Sequence, residues 1–317
     1  MAGRPSDHFD GTRYFNPEAA GVRPLSAFPK MLREPRAPWP RSVPVDIRVP
    51  PPRDPGAWAT VTFIGHSTFL IQTEAATILT DPVFALRASP LAFVGPKRVR
   101  VPAVALDALP RIDVVLLSHN HYDHCDLASL RILARQHRPL LVTPHGNRRL
   151  AVSAGFTKVD ECDWWESAAT APLPITVAPA QHFSARTPFD RNRALWGSFV
   201  LTVEGRRVFF AGDSGYASHF SALRERLGPM DLSLLPIGAY EPRWFMRDIH
   251  MNPDEAVQAH LDLESALSIG MHFGTFRLTT EAIDEPVHAL ARARAARRVP
   301  DDAFLTLDFG ASLHARR

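Results

Sequence analysis

A short segment rich in histidine, residues 118–124 (SHNHYDH), carries the side chains with the most definite chemistry in this sequence. Four of its seven residues can bind a metal ion: His119, His121, Asp123 and His124. In an extended or tightly turned segment, His119 and His121 project to one side while Asp123 and His124 face elsewhere, so the segment can supply ligands to two adjacent ions. Imidazole and carboxylate groups suit zinc, with iron or manganese as alternatives.

The residues before segment 118–124 predict how it is positioned. Residues 114–117 are apolar with a β-branched bias, which is typical of a buried strand, and the segment is then the loop that follows it. Three further candidate ligands, His182, Asp213 and His272, each come just after a predicted strand. Loops at strand ends are where a rigid scaffold usually presents catalytic groups, so we take the seven side chains together as one candidate site.

The seven candidates divide naturally between two metal ions. Three histidines and one carboxylate suit the first ion, while Asp123, His124, another histidine and the same carboxylate suit the second. Asp213 is the natural bridge because its two oxygens can span ions about 3.5–4 Å apart. Two divalent cations bring the pKa of a shared water toward neutrality, which makes a hydroxide nucleophile, and Asp123 can orient or deprotonate that water.

Three nearby side chains have less definite roles. His66 lies in a predicted turn beside the first strands, and both a place near the site and a structural hydrogen bond are open for it. Asp81 is predicted to be a turn residue or the hydrogen-bond partner of a histidine ligand. Cys125 is predicted to be a packed thiol.

Composition excludes several classes of protein. With 45% hydrophobic and 22% charged residues, the 317-residue chain can bury a sizeable core and is not disordered. A net charge of +3 suits an anionic substrate or surface but is too small for a nucleic-acid partner. Two cysteines, no signal-peptide pattern and no long apolar run predict a cytoplasmic protein without a disulfide framework, at most peripheral at a membrane.

Proline marks a boundary near residue 57. Twelve of the 29 prolines lie in residues 1–57, which predicts an extended arm without regular helix or strand, packed on or beside a single domain of residues 58–317. The arm either buries its apolar side chains as a strap or touches lipid through residues 28–39 and the cations Lys30, Arg33, Arg36 and Arg41.

The pattern of the domain predicts an α/β architecture. Short apolar strands and amphipathic helices recur in two similar batches, without a repeat of fixed period. Two β-rich halves, each flanked by helices, predict a four-layer αββα sandwich with two mixed sheets.

The spacing His119-x-His121-x-Asp123-His124, followed by His182, Asp213 and His272, resembles the metallo-β-lactamase superfamily of binuclear metallohydrolases. Within it, the sequence resembles the N-acylphosphatidylethanolamine-hydrolysing phospholipase D family. The matching stretches are residues 87–90, 95–98, 118–124, 163–166, 195–198, 209–216, 236–246 and 272–276.

This resemblance implies a phosphodiesterase that uses two zinc ions to release N-acylethanolamine from N-acylphosphatidylethanolamine, leaving phosphatidic acid. It implies His119, His121, His182 and Asp213 at the first zinc, and Asp123, His124, Asp213 and His272 at the second. His250 matches a histidine near the metals that contacts the phosphate or the leaving group, so the expected catalytic residues are Asp123, Asp213 and His250. Candidate substrate contacts are Lys97, Arg98, Arg186, Arg243 and Tyr240.

Other functions stay open. A soluble phosphodiesterase or a sugar-phosphate lactonase of the same superfamily would use the same metal site on a small soluble substrate. A non-catalytic metal-binding protein is the alternative from a different class. The oligomeric state is also open, a dimer included.

Overall fold

The computed structural model describes residues 6–18, 25–91 and 93–316. The strands in them are β1 (Ala59–Gly65), β2 (Thr68–Gln72), β3 (Thr77–Thr80), β4 (Val114–Leu116), β5 (Leu140–Pro144), β6 (Lys158–Cys162), β7 (Ile175–Ala178), β8 (Ser198–Val203), β9 (Arg206–Phe210), β10 (Leu232–Pro236), β11 (Leu267–Met271), β12 (Phe304–Leu305) and β13 (Ser312–Ala315). The α-helices are α1 (Phe28–Arg33), α2 (Leu127–His137), α3 (Arg148–Ser153), α4 (His219–Leu227), α5 (Arg243–Met246), α6 (Pro253–Asp262) and α7 (Glu285–Arg297).

The strands form two mixed sheets. The first has the order β13-β1-β2-β3-β4-β5-β6, antiparallel up to β3 and parallel from β3 to β6. The second has the order β12-β11-β10-β9-β8-β7, in which β9 to β12 are parallel. Parallel neighbours end at the same edge of a sheet, so the loops that follow them come together there.

Side chains that point to alternate faces of the strands form two separate apolar layers. In β2, Phe69 and Ile71 pack with Phe199 of the second sheet, whereas Leu70 packs with Leu130 of α2 on the outer face. Side chains of a strand point to alternate faces, so one strand contributes to both layers. Helix α2 covers the first sheet and helices α4, α6 and α7 cover the second. The predicted αββα sandwich is therefore confirmed.

Helix ends follow from local sequence. The Asp126 side chain accepts from the Ala128 amide at the start of α2. At the start of α6, Asn252 and Glu255 form a capping box with Pro253 in the first turn, which satisfies amides that the helix leaves unpaired. This same α6 start lies two residues after His250.

The structure corrects the expectation that the arm has no regular structure. Helix α1 forms at its centre because Pro29 lies in the first turn, where a missing amide hydrogen costs nothing. Met31 of α1 is buried against Met246 and Ile249, and the Trp39 indole donates to the carbonyl oxygen of Glu281 at 2.9 Å. Residues 1–5 and 19–24 of the arm, and the side chains of residues 25, 28 and 32, lie outside the described residues.

Two strands were not expected from the sequence, β6 and β13. Within the described residues, no helix combines the length and apolar character that crossing a membrane requires.

Candidate metal centre

The candidate ligands all follow the carboxyl ends of strands. His66 follows β1, segment 118–124 follows β4, His182 follows β7, Asp213 follows β9 and His272 follows β11. Strands β9, β10 and β11 are parallel neighbours, which brings Asp213 and His272 to one edge of the second sheet. The structure thus brings the seven residues chosen from the sequence to one place, although they span more than 150 positions.

Three histidines form the first cluster. His119 Nε2 lies 2.8 Å from His121 Nδ1, and His182 Nε2 lies 3.2 Å from the same His121 nitrogen. The ligand atoms of the three side chains lie within 4.8 Å of one another. Such convergence of ring nitrogens suits a metal ion because each neutral imidazole offers it a lone pair.

The second cluster is built around Asp123. His66 Nε2 lies 3.1 Å from Asp123 Oδ2, His272 Nε2 lies 3.4 Å from it and His124 Nε2 lies 3.6 Å from it. These four side chains again place their ligand atoms within 4.8 Å of one another. His66 is thus part of the cluster, a position that the sequence had left open. The signal in the sequence was its location directly after the first predicted strand; in the structure its backbone φ is 57°.

Asp213 lies between the two clusters. Its Oδ2 is 3.9 Å from His119 Nε2 and 3.8 Å from His182 Nε2, both in the first cluster. The same oxygen is 3.0 Å from His124 Nε2, and Oδ1 is 3.2 Å from His272 Nε2, both in the second cluster. One carboxylate therefore faces both sets of imidazoles.

Several of these atoms lack the partners that buried polar atoms normally have. His124 Nε2, His272 Nε2 and Asp213 Oδ1 are buried and make no hydrogen bond of acceptable geometry within the described residues. Unpaired buried polar atoms are rare and costly, and a cation among them would satisfy all three. The residues present therefore fit the binding of metal ions.

The outer nitrogens of His124 and His182 are held by hydrogen bonds. Asp81 Oδ2 lies 2.6 Å from His124 Nδ1, and Asp81 also accepts from the Ser118 amide at 2.7 Å and the Ser118 hydroxyl at 2.6 Å. The Ile249 carbonyl oxygen lies 2.8 Å from His182 Nδ1. Such partners fix the tautomer and direct the inner nitrogen at a metal.

The loops that follow β4 and β9 touch each other beside the ligands. Gly212 has a φ of 58°, and a Cβ added to it would lie 2.7 Å from Ser118 Cβ. The Gly197 amide donates to the Ser118 carbonyl oxygen at 3.0 Å. These contacts leave no room for a side chain at Gly212 and set the separation between His119 and Asp213.

The pKa values of the buried histidines fall into two groups. Burial lowers the pKa of His121 to about 3 and that of His182 to about 4, so both are neutral and ready to bind metal. Burial also acts to lower the pKa of His272, but Asp213 and Asp123 raise it to about 9. Without metal, the protein thus carries a proton on His272 that balances the carboxylates, and an ion would displace it.

His250 also joins the site. Its Nε2 lies 3.7 Å from Asp213 Oδ2, and its ring centroid is 5.1 Å from those of both His182 and His272. Burial, ahead of the neighbouring charges, lowers the pKa of His250 well below its ordinary value, so the ring is neutral. Arg243 holds this segment by donating to the His250 carbonyl oxygen at 2.8 Å and pairing with Glu255 at 2.7 Å.

The expected cationic substrate contacts are differently placed. The buried Arg98 donates to the carbonyl oxygens of Ala85 and Val83, both at 2.7 Å, so its guanidinium serves the fold and the expectation of phosphate contact is not supported. Arg243 is likewise turned to backbone and Glu255.

Arg186 holds the metal loop from outside. Its Nη1 donates to the Asn120 carbonyl oxygen at 2.7 Å and to the Cys125 carbonyl oxygen at 2.9 Å, and its guanidinium lies over the Tyr122 ring. Lys97 is exposed, while Tyr240 is buried beside a cavity of about 650 Å³ that also includes Glu281 and Arg292.

Comparison with known proteins agrees with the fold. A family model described as "Beta-lactamase superfamily domain" matches residues 76–273. A metallo hydrolase from Ignicoccus hospitalis has a similar structure, with a TM-score of 0.60 and 22% identity, covering 80% of this chain and 97% of that one. The fold and the paired His/Asp clusters define a metal-binding scaffold of the metallo-β-lactamase type, and the chain belongs to the beta-lactamase superfamily.

Relatives within the superfamily are more specific. An N-acyl-phosphatidylethanolamine-hydrolyzing phospholipase D of Caenorhabditis elegans is 39% identical, over 78% of this chain and 74% of that protein. A mitochondrial protein of the same description from Saccharomyces cerevisiae is 37% identical, over 72% of this chain and 50% of that protein. An uncharacterized Mycobacterium tuberculosis protein is 42% identical over 74% of this chain, which spans 63% of that protein's length. The resemblance expected from the sequence is confirmed.

Proposed function

We propose that this protein is a binuclear metal-dependent phosphodiesterase of the phospholipase D type, which releases N-acylethanolamine from N-acylphosphatidylethanolamine and leaves phosphatidic acid. The observation that carries the proposal is the position of Asp213, whose oxygens face a three-histidine cluster on one side and the His124 and His272 rings on the other. The similarity to two proteins described by that activity supports the substrate.

The proposed ligands follow from the two clusters. His119, His121, His182 and Asp213 hold the first ion. The second ion is held by Asp123, His124, Asp213 and His272, with His66 beside Asp123. Nitrogen and carboxylate donors without a thiolate suit zinc, although iron and manganese accept the same set. Two such cations supply an acidified water and neutralise charge on the phosphate.

The protein's own side chains have distinct tasks around that reaction. Asp123 can accept a proton from the attacking water at Oδ2, where His66 and His272 already direct their nitrogens. The neutral His250 ring has an Nδ1 without a partner among the described residues, and it can donate to the phosphate or to the oxygen of the leaving alcohol. Arg243 keeps His250 in place through its backbone.

Product analysis tests the proposal. Zinc-loaded protein is incubated with N-acylphosphatidylethanolamine in detergent micelles made with ¹⁸O-labelled water, and both products are measured by mass spectrometry. We expect N-acylethanolamine without label and phosphatidic acid carrying one labelled oxygen, because water attacks phosphorus and the bond to the alcohol oxygen breaks.

The control variants are Asp213→Asn, which removes the shared charge, and Asp308→Asn, an exposed carboxylate elsewhere. We expect a loss of at least about a thousandfold in rate for the first and no change for the second. Turnover of a soluble phosphodiester or a lactone, with none of the lipid, would replace the proposed substrate by one of the alternatives. Metal binding without turnover of any of them would favour the non-catalytic alternative.

A further inference from the structure

The loops outside the metal centre expose large apolar side chains. Phe93 is 79% exposed and Phe189 is 83% exposed, more than any other phenylalanine whose exposure is described. Leu86, Leu91 and Val94, in the same loop as Phe93, are also exposed. Exposed phenylalanines are costly in water, and a group of them marks an interaction surface. We refer to residues 86–91 and 93–97 of the first loop, with residues 187–193 of the second, as the apolar rim.

Both parts of the rim are attached to the metal loop. Ala88 packs with Val83 and Phe276 in a small apolar cluster that Tyr122 joins. The Tyr122 hydroxyl donates to the Arg186 carbonyl oxygen at 3.0 Å, just before the second part of the rim. Tyr122 itself lies between the ligands His121 and Asp123. The two loops thus meet on the residue at the centre of segment 118–124.

The charge of the rim indicates its partner. Residues 85–100 contain four basic residues and no acidic one, and residues 184–193 contain three basic residues and one acidic one. Arg98 and Arg186 are used internally, but Lys97 and Arg193 are exposed beside the phenylalanines. Exposed aromatic rings bordered by cations match the interface of a bilayer with anionic headgroups.

We propose that the apolar rim, and not residues 28–39 of the N-terminal arm, is the surface by which this protein docks on an anionic lipid membrane. Residues 28–39 of the arm are poorly suited because Met31 is buried and the Trp39 indole is bonded to the carbonyl oxygen of Glu281. Docking through the rim places the membrane directly beside the metal loop. The inference rests on the proposed function only for the identity of the lipid that is cleaved.

Vesicle sedimentation tests this surface without any hydrolysis. The full-length protein is mixed with phosphatidylcholine vesicles, with or without phosphatidylglycerol and free of N-acylphosphatidylethanolamine. We expect binding to the anionic vesicles that weakens with added salt. The double variant Phe93→Ser, Phe189→Ser is expected to bind at least about tenfold more weakly, because each ring then loses its burial in the interface.

Two control variants separate docking from folding. Phe93→Leu with Phe189→Leu keeps apolar side chains and is expected to retain most of the binding. Val152→Ser with Leu261→Ser changes residues that are 57% and 41% exposed on α3 and α6, and is expected to bind as the unchanged protein does. Metal content and Tm are measured for every variant to show that the fold is intact.

The outcomes distinguish this inference from the proposed function. If the Phe93→Ser, Phe189→Ser variant binds vesicles as well as the unchanged protein does, the inference is overturned, even if the lipid is hydrolysed. If light scattering shows that the variant has lost a dimer while its vesicle binding is unchanged, the rim is instead the contact surface for a second copy of the chain. Rim-dependent binding without hydrolysis of the lipid would instead refute the proposed substrate alone.

Discussion

At the scale of single residues, the site depends on one carboxylate that faces two groups of histidines. Asp213 is buried, and burial alone would raise its pKa, yet the charge on His124 and His272 holds that pKa well below the ordinary value. The anion is thus present before any metal binds. Its oxygens are positioned by the contact between Gly212 and Ser118.

His66 offers a sharp test of the second cluster. Its Nε2 lies 3.1 Å from Asp123 Oδ2, so it either orients that carboxylate or binds the ion itself. We expect His66→Ala to weaken binding of the second metal by about 10–100-fold and to leave the first ion in place. Metal stoichiometry during titration with a chelator measures both.

The control is His219→Ala, since His219 is partly buried and its ring nitrogen lies 3.2 Å from the Ser214 hydroxyl, but it lies outside both clusters. If the His66→Ala variant still binds two metal ions with equally high affinity, this histidine contributes to packing alone.

The metal ligands could be predicted from the sequence because each of them follows an apolar strand. His66 was harder to place because a Gly-His-Ser turn is common in proteins without metal. For the candidate substrate-binding cations, the internal partners of Arg98 and Arg243 could not be predicted from the sequence. Whether Arg98 faces solvent or the Ala85 carbonyl oxygen depends on how the loop of residues 85–97 folds back, which no local pattern in the sequence records.

At the scale of elements, the loops after β4 and β9 must approach closely for the two clusters to share Asp213. Gly212 allows this approach, since a Cβ would meet Ser118 at 2.7 Å. We expect Gly212→Ala to lower the free energy of unfolding by about 2–4 kcal/mol, from strain at positive φ together with the clash, and to weaken metal binding.

Gly205 provides the control for that prediction. It also has a positive φ, 79°, but a Cβ there would meet nothing within 4 Å. Gly205→Ala should therefore cost about 1 kcal/mol, from the backbone alone, and leave metal binding unchanged. Denaturant unfolding and metal titration of both variants measure the difference. Equal effects of the two changes would show that contact with Ser118 does not matter.

Helices and strands are most readily predicted where the residues that define their ends lie next to them in the sequence. The Asn252-Pro253 start of α6 and the β8–β9 hairpin around Glu204-Gly205 each contain their own turn or cap residues. Strand β13 is four residues long and pairs with β1, more than 240 residues earlier in the chain. Its formation depends on that distant partner, so the sequence near β13 does not reveal it.

At the scale of the whole molecule, the arm is attached to the domain through the buried side chain of His8. His8 Nε2 lies 2.7 Å from Asp163 Oδ1, His8 Nδ1 lies 2.5 Å from Asp7 Oδ1, and the His8 ring stacks on Trp164. Farther along the arm, the Asn16 amide donates to the carbonyl oxygen of the ligand His182 at 2.8 Å. The arm thus reaches the back of the first cluster.

We expect attachment of the arm to depend on pH. Burial acts to lower the pKa of His8, but the hydrogen bonds that its ring makes to the Asp163 and Asp7 carboxylates prevail and raise it. A raised pKa in the folded state means that the contribution of His8 is complete below about pH 6.5 and is lost as the pH rises through the folded value. Limited proteolysis should therefore cut the arm faster at higher pH.

The variants His8→Gln and His288→Gln check this expectation. Gln at position 8 keeps hydrogen-bonding capacity but carries no charge, so it should abolish the pH dependence. His288 is an exposed histidine of α7, and its replacement should preserve the dependence. If the rate of proteolysis rises equally with pH in the unchanged protein and in both variants, the titrating group is not His8.

The topology has a consequence for how relatives with this metal centre diverge. The ligands stand at strand ends and are held by the sheets, by Asp81 and by the Gly212–Ser118 contact. The apolar rim, in contrast, contacts the metal loop from outside, through Tyr122 and Arg186. Insertions or deletions in the rim can therefore accumulate without moving a ligand atom, so natural selection can exchange the substrate while the reaction at the metals persists.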